Sequence, residues 1–145
     1  MKKIHTEFPQ LLNKKKKILL LGKNSTLCKN FLTRIDKEKF DIFPYGKKNI
    51  NFLNKNDDKK LHQILKRIQP DIIINFIGKF ELNSRSNMDL FKINISPTWE
   101  LISFYLKKKN DKKIKLVIIG SSSQSSPRKK YMLYAASKTA LNNLV

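Results

Sequence analysis

A chain of 145 residues suits one domain with a real core, and 40% hydrophobic content with nine Phe and four Tyr excludes a disordered tail. Its formal charge of +20, from 31 Lys and Arg against 11 Asp and Glu, points first to a polyanion such as nucleic acid. The cations are mostly Lys, spread along the chain among many Asn and Ile, with no aromatic residues interleaved with Arg, so solvated faces account for them and a nucleic-acid partner is not expected.

Residues 1–15 read as a basic leader, and residues 16–145 as one domain. Lys17 to Gly22 is a short apolar run ending in glycine, as expected of a strand buried on both faces. Leu27, Phe31, Leu32 and Ile35 recur at helical spacing. That helix holds the single cysteine, Cys28, which rules out an internal disulfide and a cysteine-based zinc cluster. Residues 40–43 and 50–53 read as second and third strands. Asp57 and Asp58 open a helix carrying Leu61, Ile64, Leu65 and Ile68, stopped by Pro70. His62 is expected on its exposed polar face, far in sequence from His5, and no metal site is expected.

Residues 71–78 form the strongest strand pattern in the sequence. A helix from about Met88 to Lys109 follows, with Pro97 inside it as an expected kink. Residues 114–120 read as another strand and residues 133–145 as a last helix. The basic runs Lys14–Lys17, Lys107–Lys109 and Arg128–Lys130 abut these elements and read as their solvated ends. No apolar run is long enough to cross a bilayer, so a cytoplasmic protein is expected. Apolar strands alternating with amphipathic helices predict an α/β fold, a doubly wound parallel sheet with helices on both faces. Ligands of such sheets bind beyond the carboxyl ends of the strands, where the strand order reverses. Gly22, Asn75, Gly78 and Ser121 are all expected at that rim.

The sharpest local feature is Tyr134-Ala135-Ala136-Ser137-Lys138, with Tyr and Lys one helical turn apart on one face. A nearby ammonium favours the phenolate and brings a phenol toward the range useful for proton transfer. Thirteen positions before Tyr134, Ser121 follows directly on an apolar strand ending in Gly120.

Together with Asn75-Phe76-Ile77-Gly78 and with Asn94 in Lys92-Ile93-Asn94-Ile95-Ser96, this arrangement resembles the short-chain dehydrogenase/reductase superfamily. The resemblance runs from about Lys16 to the last residue and implies a Rossmann-like sheet and an NAD(P)-dependent oxidoreductase acting on a carbonyl or alcohol. By that resemblance Tyr134 is the general acid or base, and Lys138 supports it and binds the nicotinamide ribose. Ser121 orients the substrate carbonyl, with Ser122 as the alternative one position on. Asn94 binds a water that links Lys138 to a proton relay. Asn75 and Gly78 line the adenosine side of the crevice, and Asn51 contacts the adenine.

The stretch Gly22-Lys23-Asn24-Ser25-Thr26-Leu27-Cys28 stands where the family carries its glycine-rich phosphate loop. Gly22, Lys23, Ser25 and Leu27 are therefore expected beside the cofactor. Only Gly22 survives of the family's three glycines. The end of the second strand offers no acid for a ribose diol, whereas Lys47 and Lys48 suit a 2′-phosphate, which favours NADP over NAD. The chain stops soon after the Tyr-Lys helix, without the C-terminal strands and substrate lid of the family. A shortened product, a piece of a longer chain and a domain completed by another chain all stay open. So does a non-catalytic relative acting as a nucleotide-binding or assembly module. Family resemblance also implies a homo-oligomer through the helices around Leu101 and Leu141.

Overall fold

The computed structural model describes residues 14–80, 88–107, 113–126 and 129–145. Most of the expected leader, the end of the basic run at 108–109 and Arg128 lie outside the described residues. Among the described residues four strands and four helices alternate: β1 (Lys16–Leu21), α1 (Thr26–Arg34), β2 (Phe40–Tyr45), α2 (Asp57–Ile68), β3 (Ile72–Asn75), α3 (Met88–Lys107), β4 (Lys115–Ile118) and α4 (Met132–Asn143). Two short 3-10 turns, Ser122–Gln124 and Lys129–Tyr131, join β4 to α4.

All pairings are parallel and the strand order is β2-β1-β3-β4. The chain moves one way from β1 to β2, then crosses back over β1 to lay down β3 on its other side. The order therefore reverses between β1 and β3.

Strand alternation explains why both faces are apolar. Leu19, Leu21 and Ile73 face one core with Leu61, Ile64, Leu65 and Ile68 of α2 and Leu101 and Phe104 of α3. Ile18, Leu20 and Ile74 face the other, where Cys28 and partly buried Phe31 and Leu32 of α1 cover them. Leu19, Leu20 and Leu21 are fully enclosed, each contributing about 1.5–3 kcal/mol by burial. The helix α4 packs alongside α3.

Two expectations change. Residues 50–53 are not a strand: they form an irregular segment with a turn at 52–53, and no strand pairs with them among the described residues. Ile50 and Phe52 alternate as a strand would, but they bury themselves against α2 instead of joining the ladder. His62 is not an exposed residue of a polar face. Its side chain is half-buried between α2 and α3, with Nε2 3.3 Å from Glu100 Oε2 and its ring 5.1 Å from that of Phe104. The helix α2 ends ahead of Pro70 as expected, and Gln69, in a left-handed conformation (φ 49°), closes it through Leu65. Leu101 and Leu141 are both buried within the chain itself, so any contact between copies through these helices would use other side chains.

Candidate active site

Pairing of Leu21 with both Tyr45 and Asn75, and of Asn75 with Ile118, brings the carboxyl ends of all four strands level. At the reversal point beyond them lies a cavity of about 430 Å³. Gly22, Ser25, Asn51 and Gly78 line it, together with Gly46 and Lys47 from the end of β2. Four of the residues expected beside the cofactor thus line one cavity. Asn75, Lys23, Leu27 and Lys138 are not part of that lining. Asn75 is buried beneath it, donating to Thr98 Oγ1 at 3.1 Å and accepting from the Ile77 N–H at 2.9 Å. The stem of Lys23 lies over Gly46, where an added Cβ would come within 2.9 Å of Lys23 Cγ. Leu27 is 56% exposed on α1.

The first turn shows why one glycine is kept. Gly22 has φ +87°, and a Cβ there would stand 2.9 Å from the carbonyl carbon of Phe76. Ser25 has φ −68°, which any residue adopts, and its Oγ caps α1 by accepting from the Cys28 N–H at 3.1 Å. Cys28 is fully buried where α1 packs on the sheet. The first turn of α1 carries no carboxylate, and its capping residue, Ser25, lines the cavity. A helix amino terminus of this kind fits a pyrophosphate, so the residues present suit a dinucleotide.

On the β3–β4 side stand the chemical groups. Lys138 is 4% exposed, and burial holds its ammonium below the ordinary lysine value. Its Nζ donates to the Ile119 carbonyl at 3.0 Å and lies 5.9 Å from the centre of the Tyr134 ring. That ring is half-buried, edge-on to exposed Phe80 at 5.0 Å, and Phe80 also meets Tyr131. Gly78 completes the group, since a Cβ on it would stand 3.5 Å from Lys138 Nζ and 3.8 Å from Asn94 Oδ1.

Asn94 is fully buried. Its Oδ1 accepts from the Lys79 N–H at 2.7 Å, and its Nδ2 donates to the Lys79 carbonyl at 3.1 Å and to Ser137 Oγ at 2.8 Å. Ser121 follows two residues after Ile119. Its Oγ accepts from the Ser123 N–H at 3.2 Å, so it caps the first 3-10 turn, while Ser122 is exposed inside that turn.

Sequence reasoning missed Thr98 and Ser137. Thr98 is fully buried and fastens α3 to Asn75; Ser137, equally buried, accepts from Asn94 and donates to the Tyr134 carbonyl at 2.7 Å. The signal was present: both are polar residues in register with apolar positions of their helices, Thr98 one turn after Asn94.

Among the described residues no group of His, Cys, Asp and Glu could hold a metal, and no helix is long and apolar enough to cross a membrane.

A parallel sheet reversing over a glycine turn, with a helix amino terminus at the rim, is the arrangement of the Rossmann-type, nucleotide-binding class of proteins. Residues 9–145 match the model of the NAD dependent epimerase/dehydratase family, and the chain belongs to that family. The family is NAD(P)-dependent and lies within the extended short-chain dehydrogenase/reductase superfamily.

The fold is similar to that of the dTDP-4-dehydrorhamnose reductase of Bacillus anthracis solved with NADP (TM-score 0.73, 22% identity, 90% of this chain and 49% of that one). It is also similar to BdcA in complex with NADPH (TM-score 0.68, 18% identity, 89% of this chain and 62% of that one). A third similar structure is the ADP-L-glycero-D-manno-heptose-6-epimerase of Helicobacter pylori (TM-score 0.67, 15% identity, 92% of this chain and 51% of that one). This chain spans about half the length of the first and third of these. No curated protein matches the sequence significantly.

Proposed function

We propose that residues 16–145 form the cofactor-binding and proton-transferring part of an NAD(P)-dependent oxidoreductase or epimerase acting on a carbonyl or hydroxyl carbon. The observation that carries this reading is Lys138. A lysine is buried at the sheet rim, one helical turn from a tyrosine and beside a cavity suited to a dinucleotide.

Bound nicotinamide supplies or accepts the hydride. Tyr134 gives its phenolic proton to the substrate oxygen in reduction and recovers it in oxidation. Lys138 stabilises the phenolate that results, and its desolvated ammonium acts more strongly there than it would in water. Ser121 orients the substrate oxygen. Asn94 has both polar side-chain atoms engaged by Lys79 and Ser137, so we assign it to holding the Gly78 loop against Lys138 rather than to binding a relay water.

For the cofactor we favour NADP. Between Asp41 and Asp57 the chain has no acid to hold a ribose diol, Lys47 lines the cavity and Lys23 lies over Gly46. Fluorescence titration of the purified chain with NADPH and NADH tests the reading. Saturable binding, tighter for NADPH and weakened by Lys138→Ala, is the expected result. Failure to bind either cofactor at millimolar concentration would leave the fold as an assembly module. The replacement of two loop glycines by Ser25 and Cys28 is the feature that favours that second reading.

A further inference from the structure

We propose that Asp57 is a positioning residue for the adenine end of the dinucleotide, its buried carboxylate fixing the cavity wall formed by Asn51, Phe52 and Leu53. This rests on the reading of the cavity as the cofactor site.

The wall is a segment with strand-like alternation and, among the described residues, no strand partner. Ile50 and Phe52 are 4% and 7% exposed and anchor it to the core. A backbone held by side-chain anchors still needs partners for its polar groups. The Asp57 carboxylate supplies one, accepting the Asn51 N–H through Oδ2, and Asn51 Oδ1 in turn accepts from the Leu53 N–H at 3.3 Å. A side chain thus does for this wall what a neighbouring strand does elsewhere in the sheet.

Asp57 lies in the first turn of α2, where an acid ordinarily faces its own helix's free N–H groups. This one instead reaches back to Asn51. Its side chain is only 4% exposed, and Lys60 Nζ lies 2.8 Å from its Oδ1. The hydrogen bond from Lys60 and that from the Asn51 N–H hold the carboxyl below the usual carboxylate range. It therefore stays ionised, and a charged acceptor binds the Asn51 N–H about twice as strongly as a neutral one.

Position gives the assignment. The wall lines the cavity together with Gly22 and with Gly46 and Lys47 at the end of β2, whereas Lys138 is held at Ile119, after the edge strand β4, and is not in that lining. A dinucleotide with its nicotinamide beside Lys138 and its pyrophosphate at α1 has its adenine here. Leu53 offers the flat base an apolar surface, and Asn51 offers a held amide.

The test is an NMR titration of the isotopically labelled chain with AMP and, separately, with nicotinamide mononucleotide. AMP is expected to shift the amides of Asn51, Phe52 and Leu53, and the mononucleotide those of Gly78 and Ser121. In Asp57→Asn the AMP dissociation constant should rise about fivefold or more, the cost of ordering a wall no longer held in advance, with the mononucleotide's changed by less than about twofold.

Equal weakening of both ligands, or unchanged AMP binding, overturns the proposal. Should Asp57→Asn fail to fold, the wild-type shift map decides, and AMP shifts missing from Asn51 to Leu53 overturn it. A wild-type chain that binds neither nucleotide overturns the cofactor reading and this proposal together. Binding of both without discrimination at Asp57 overturns this proposal alone.

Discussion

The ammonium of Lys138 donates to the carbonyl oxygen of Ile119 at 3.0 Å, tying α4 to the strand end from which Ser121 follows. One contact thereby sets the height of the Tyr134 helix against the sheet. It also takes a cation out of water, which has a measurable consequence.

Burial lowers the Lys138 pKa from its ordinary value of 10.5. Between that lowered value and 10.5 the unfolded chain binds more protons than the folded one, so this group's contribution to stability rises with pH across that window. The slope is at most about 1.4 kcal/mol per pH unit. Burial raises Cys28 above 9.0 and pushes Tyr105 up to about 12, so both act in the opposite direction at alkaline pH. The comparison must therefore be between wild type and Lys138→Met. Urea denaturation at several alkaline pH values should show the rising component in wild type and its absence in the variant. Superimposable profiles would refute the assignment.

Gly22 is the glycine the turn requires. Its φ of +87° and the 2.9 Å approach of an added Cβ to the Phe76 backbone combine, and Gly22→Ala should destabilise by about 2 kcal/mol or more. Gly120 is the control. A Cβ there meets first the Gln124 side-chain oxygen at 3.4 Å, which can move, so Gly120→Ala should stay within about 0.5 kcal/mol. Thermal melts of the two variants decide it; equal effects would mean that the turn tolerates a side chain.

Ser25 caps α1 from a position that the glycine-rich pattern gives to glycine. Ser25→Ala should lose about 1 kcal/mol and Ser25→Gly only a few tenths. If denaturation midpoints show alanine no worse than glycine, the Cys28 N–H does not depend on this hydroxyl.

Asn94 joins the loop after β3 to α4 through Lys79 and Ser137. Asn94→Ala leaves buried groups without partners and should reduce stability by about 1–3 kcal/mol. Hydrogen exchange at the Lys79 amide should quicken by more than that at Leu20, in the middle of the sheet. Uniform quickening would argue against a local tether.

Much of this could be read from local pattern. Leu19 to Leu21 and Ile72 to Ile74 are apolar runs of strand length, and the last helix shows Tyr134 and Lys138 one turn apart. Period and spacing are properties of neighbouring residues, so they survive in a bare sequence. Residues 50–53 show the limit. They alternate like a strand, yet whether a strand forms depends on a partner elsewhere in the chain, and none pairs with them among the described residues.

The sequence by itself determined the alternation of strands and helices, the buried faces and the one-turn spacing of Tyr134 and Lys138. Only the tertiary structure decided that Asn75 sits beneath the cavity, that Asn94 is bound by Lys79 and Ser137, and that Asp57 holds Asn51. The reason is physical. Apolar burial follows from composition and period, whereas the partner of a buried polar group is chosen by which distant segment packing brings within about 3.5 Å.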